Sequence, residues 1–139
     1  RMTSTLTQVL DRLDVVLKAN VPAGCQVFRD RADSASRAET PCINVLSRGA
    51  QVESFAQDWD KHTLSVELVI SVRAEPGTPA VEAVHAAVHA PIVKDATLLG
   101  LCDSVRLEDD NPAPAEADVT ALDKTVRYRF TYLINQSTL

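Results

Sequence analysis

Aromatic side chains make up only 4% of the 139 residues, so aliphatic residues have to build the core. The four glycines stand singly, and G-x-x-x-x-G-K-[ST], G-x-G-x-x-G and G-x-S-x-G are all missing. Without a phosphate-cradling loop, nucleotide chemistry is disfavoured. Cys25, Cys42 and Cys102 are odd in number and contain no C-x-x-C pair, which suggests neither a disulfide framework nor a zinc knuckle. Each is expected to be a small buried apolar residue, and nothing local to them marks a thiol of lowered pKa. Basic charge is also short. A net charge of −5 and a pI near 5.1 argue against a non-specific nucleic-acid binder, which needs a basic surface to release counterions from phosphate. No run of 18 apolar residues is present to span a bilayer. The opening RMTSTLTQVLDRLD is amphipathic and charged, unlike a secretory signal, and is read as cytoplasmic. Arg1 ahead of Met2 reads as an upstream remnant outside the fold.

What is present suits a single domain over 1–139. Leu6, Val9, Leu10, Leu13, Val16 and Leu17 recur at helical spacing, with Thr3, Ser4 or Thr5 as cap, and predict a first helix over about 4–19. CQVFRDR, 25–31, reads as a short strand of ambiguous facing, and ADSASRAET, 32–40, as a long loop. After Pro41, residues 42–47 read as an apolar strand, Arg48-Gly49 as a bulge or turn leading into 51–55, and QDWDKH as a polar connection. In KHTLSVELVISVRA, Leu64, Val66, Leu68, Ile70 and Val72 alternate with Ser65, Glu67, Ser71 and Arg73. That period of two means a sheet covered on one side and wetted on the other, which argues against a doubly wound parallel fold.

EPGTP stops this strand, and Thr78 as cap with Pro79 in first position starts a second helix that Pro91 bends or ends near Ile92. Asp95 can cap a short helical turn through ATLLG, CDSVRLED reads as a strand, and DDNPAPAEAD as a turn or hairpin loop. DKTVRYRFTYLIN alternates Val126, Tyr128, Phe130, Tyr132 and Ile134 against Thr125, Arg127, Arg129, Thr131 and Leu133. The predicted class is α+β: a mostly antiparallel sheet of four to five strands with two main helices packed on one face.

Two sets of residues carry chemistry worth weighing. EAVHAAVH puts Glu82, His85 and His89 on one helix, with the i, i+4 imidazole spacing that a metal site can use. They flank the apolar stripe of Val81, Val84, Val88 and Ile92, however, and the third histidine, His62, is remote in sequence, so they read as borders of a packed helix. No metal or cofactor is expected. The second set is charged: Arg29, Arg31, Arg37 and Arg48 crowd the region around the long loop, Arg127 and Arg129 share the polar face of the last strand, and Glu108, Asp109 and Asp110 form an acidic edge. Positive and negative edges on one small protein suit head-to-tail contacts between copies.

The order of these parts, with Phe28 before the loop, Pro41 ahead of CINV, WDKHTLSVELVISV and the closing VRYRFTYLI, resembles the tail terminator proteins of long-tailed bacteriophages, of the lambda-type minor tail protein U family. The likeness runs over roughly 6–135, and the arginine-rich RDRADSASR departs from the family pattern. The resemblance implies a structural virion protein and no enzyme: a ring, a hexamer in that family, that caps the tail tube and offers a surface to the head-completion protein. It implies as partners other copies of the chain, the tube protein and the connector, with DNA passing through the ring unbound and no membrane. The location it implies is the virion tail, and the host cytoplasm during assembly. Rival readings are another connector or tube subunit, a small metal-binding module on Glu82, His85 and His89, and a ligand-binding sandwich with a closed apolar pocket.

Overall fold

The structure, a computed structural model, describes residues 4–30, 41–72, 77–110 and 122–135. The loop read at 32–40, and 111–118 of the acidic loop, lie outside them. Ser4 opens α1 (Thr5–Asn20) by accepting a hydrogen bond from the Thr7 N–H, and helical spacing brings Val9, Leu13, Val16 and Leu17 to one buried side. β1 (Gln26–Arg29), β2 (Cys42–Ala56) and β3 (Trp59–Val72) follow, then α2 (Gly77–Val93), α3 (Ala96–Leu101), β4 (Ser104–Asp110) and β5 (Leu122–Asn135). Asp95 caps α3 as predicted, accepting from the Leu98 N–H at 2.9 Å. Both of its oxygens also take the Arg12 guanidinium, at 2.8 and 2.9 Å, which ties α1 to α3 and holds the Asp95 carboxyl below its ordinary range. The Thr78 side chain is outside the described set, so its expected cap has no structural counterpart to report.

The architecture is α+β, with one mixed five-stranded sheet in the order β1-β2-β3-β5-β4. Three of its pairings are antiparallel, while β1 runs parallel to β2. A parallel pair needs a connection of about a dozen residues, which the chain between Arg29 and Cys42 supplies.

One boundary settles between two readings, and one differs from the sequence reading. The first is Arg48-Gly49, which is the bulge and not the turn: Gly49 takes a φ of +79°, the ladder shifts between Ser47 and Ala50, and pairing then resumes. The second is QDWDKH, of which only Gln57 and Asp58 form the turn, with Asp58 at a φ of 70°, while Trp59 to His62 are paired to β5 on their other side.

One core joins Val9, Leu13 and Leu17 of α1, Val81, Val84, Val88 and Ile92 of α2, and Leu98 of α3 to the inward strand residues. The strands contribute Ile43, Val45, Leu64, Val66, Leu68, Ile70, Val126, Tyr128 and Phe130, in the alternation the sequence shows. Cys42 and Cys102 are buried as expected, whereas Cys25 is only half-buried. Burial pushes the Cys102 thiol up to about 12 and the Cys25 thiol up to about 11, so neither is an activated nucleophile.

Candidate functional site

The sheet face turned away from the core carries a charged network centred on Glu67 of β3. Glu67 lies in register with Arg127 of β5, and Asp109 of β4 lies on the other side of Arg127, so three neighbouring strands place opposite charges side by side. Glu67 Oε1 accepts from Arg48 Nε at 2.8 Å, and Oε2 accepts from Arg127 Nη2 at 2.8 Å. Arg127 Nη1 donates to Asp109 Oδ2 at 3.3 Å, and its guanidinium lies 3.8 Å from Glu108. Arg129 Nε lies 3.6 Å from Glu108. A bulge between Leu107 and Asp109 inserts Glu108 and lets it reach both arginines.

Five of the expected interface residues, Arg48, Glu108, Asp109, Arg127 and Arg129, thus meet one another inside one chain. The sequence alone suggests acid and base on opposing copies, and in it Glu67 is one more polar residue of a wet strand face. Its signal was a single carboxylate midway along a strand whose eventual neighbours are arginine-bearing strands. Arg29 stands apart, with Nη1 2.7 Å from Asp11 Oδ1 on α1. Arg31 and Arg37 lie outside the described residues, and of Asp110 only the backbone, at the end of β4, is described.

Hydrogen bonds from Arg127 and then Arg48 hold the Glu67 carboxyl below its ordinary value of 4.5. A depressed folded pKa gives a contribution that is complete above 4.5 and is lost as pH falls through the folded value. Glu67→Gln is therefore expected to cost about 1–2 kcal/mol at pH 7, the outer arginines being part-solvated. In urea titrations at falling pH, the gap between wild type and variant should close below 4.5. A gap independent of pH would show that the charge on Glu67 contributes nothing.

The α2 histidines do converge, but on a phenol. His85 Nε2 and His89 Nδ1 lie 3.0 and 2.7 Å from Tyr128 Oη. Glu82 turns away from them, holding the Lys124 ammonium at 2.7 and 2.8 Å, and Lys124 is only 2% exposed. His62 is remote, stacked on Tyr132 with ring centroids 5.3 Å apart. Among the described residues no group of three or more His, Cys, Asp or Glu is arranged to hold a metal ion. The Tyr128 hydroxyl instead joins α2 to β5, and Tyr128→Phe should cost about 1–3 kcal/mol in urea unfolding while leaving the helix content unchanged.

The far end of the β2–β3 hairpin is the second surface feature. Val52, Phe55 and Trp59 are 56%, 61% and 44% exposed, whereas the other large exposed hydrophobics among the described residues, Val15 and Leu99, stand singly on helices. Trp59 belongs to the outer face by alternation with Lys61 and Thr63, and a register shift between Ser54 and Ala56 sets Phe55 at a bulge opposite it. On the inner face of the sheet there, Ala50 and Val52 of β2, His62 of β3 and Tyr132 and Ile134 of β5 line a cavity of about 310 Å³, bounded on one side by Leu6 at the start of α1. Sequence reasoning missed this surface because it took QDWDKH for a connection. No protein-family model matches the chain, and no curated protein matches it.

Proposed function

We propose that this chain is a structural protein of a bacteriophage or prophage tail, a terminator that assembles as a ring on the end of the tail tube. Bound there, it stops tube polymerisation and presents its other ring face to the head-completion protein. The observation that carries this reading is the apolar end of the β2–β3 hairpin, where Val52, Phe55 and Trp59 stand exposed on a strand pair that remains ladder-bonded to its tip. Exposed aromatics grouped on a stiff support are what a protein contact uses, and their exposure in a lone chain would be a solubility liability. Hexamer stoichiometry comes from the family resemblance. The net charge of −5 suits a conduit through which DNA passes without being held. The protein acts in the virion tail and is assembled in the host cytoplasm.

The rival of the same class is a tail-tube subunit, which would polymerise by itself. Negative-stain microscopy of concentrated protein, with and without purified tail tubes, separates the two. Rings seated on tube ends support the terminator. Long tubes formed by this chain alone make it a tube subunit, and uncapped tubes beside unchanged monomers contradict both.

A further inference from the structure

The hairpin end carries an apolar projection on one face and an apolar cavity on the other. Trp59 and Phe55 make the projection, 44% and 61% exposed. Directly behind them, the side chains of Val52, His62 and Ile134 turn the opposite way and line the cavity of about 310 Å³ together with Leu6, Ala50 and Tyr132. That volume is about ten times the ~30 Å³ that one water occupies in the liquid, which is room for a large side chain. Tyr132 is 3% exposed, and its ring stacks on His62, with centroids 5.3 Å apart, to form one wall of the cavity.

We propose that the partner of this cavity is a second copy of the same chain: the Phe55–Trp59 hairpin end of one copy seats in the cavity bounded by Leu6, Ala50, Val52 and Ile134 of the next. The geometry dictates the symmetry. Because projection and cavity lie on opposite faces of the sheet at the hairpin end, each copy can accept a neighbour on one face while inserting into another on the opposite face, always in the same sense. Such a contact is heterologous, and it closes into a ring when the rotation per copy divides a full turn. Burying two aromatics supplies the kind of anchor on which protein contacts depend. The inference rests on the ring reading of function and adds to it which surfaces meet.

The test mixes two singly substituted chains, Phe55→Cys and Leu6→Cys, at high concentration with a short bis-maleimide. A crosslinked dimer is expected from the mixture and not from either variant alone, wild type controlling for the half-buried Cys25. Ala50→Phe fills the cavity without touching the projection and should weaken self-association by about tenfold or more, as loss of a buried aromatic anchor does. As Trp59 is the chain's single tryptophan, its emission should also move to shorter wavelength as wild type associates, and should fail to move in Ala50→Phe. Rings that form without the mixed crosslink, or that tolerate Ala50→Phe, overturn this contact and leave the terminator reading standing. A chain that stays monomeric at millimolar concentration also overturns the contact, while capping of tail tubes judges the terminator reading separately.

Discussion

Phe130→Ala is expected to destabilise the fold by about 3–5 kcal/mol, the range for truncating a buried phenylalanine to alanine. Phe130 has no solvent exposure and sits on β5, the strand that joins β3 to β4. It is in register with Leu64 on one side and Val105 on the other, so three strands lose a packing partner at once. Ladders on both sides keep the backbone from collapsing into the vacated space, and a cavity that cannot relax sets the cost at the upper end. Against a total of about 5–15 kcal/mol for a typical domain, the loss should move the urea midpoint by more than 1 M at an m-value of about 1–3 kcal/mol/M. Val15→Ala is the contrast: Val15 is 52% exposed on α1, and its truncation should stay within about 0.5 kcal/mol. Equal effects at the two positions would mean that the core lies elsewhere.

Phe55→Asp combined with Trp59→Asp should have the opposite profile, with little effect on the monomer and a large one on assembly. Both side chains are exposed, so the unfolding free energy should stay within about 1 kcal/mol of wild type, about 0.5 kcal/mol for each substitution. A charge placed at an apolar contact loses the anchor and adds desolvation, which for aromatic hot spots is about 2 kcal/mol or more, roughly a thirtyfold loss of affinity. In the proposed ring the contact repeats at every interface, so the penalty would recur with each subunit, and the double variant is expected to lose the capping of tail tubes proposed for the wild type. Counting capped ends by microscopy measures this. Full capping by the double variant would place the contact away from the hairpin end.

The readable parts of this fold were those where burial on one side is strict. From Leu64 to Val72 and from Val126 to Ile134, the alternation of apolar and polar residues matches the observed inward and outward faces, because one-sided burial leaves period two in the sequence. The hairpin end was unreadable for the same reason. Residues 51–59 are exposed on both faces, so burial sorts nothing there, and QDWDKH looks like a loop although most of it is paired. β1 is only Gln26–Arg29, too short to show which neighbour it joins or in which direction. Asp95 was legible because a cap acts within its own turn.

The charged residues divide along similar lines. Arginines and carboxylates were visible as local clusters, but their pairing depends on register between β3, β5 and β4, which composition does not encode. Glu67 joins Arg48 and Arg127 across 19 and 60 positions of sequence. Glu82 was weighed beside the histidines that share its helix, yet its partner is Lys124, 42 positions away on β5 and almost fully buried. Lone polar residues on sheet and helix faces acquire their roles only when the strands are set side by side.

The central claim is that this chain ends a growing tube by assembling on it, and the measurement closest to that claim is the extension of purified tail tubes by fresh tube protein in its presence. Growth is predicted to stop when each tube end has taken up one ring of the chain, with tube length constant thereafter. Tubes that elongate at an unchanged rate, with the chain present in saturating excess, would contradict the account.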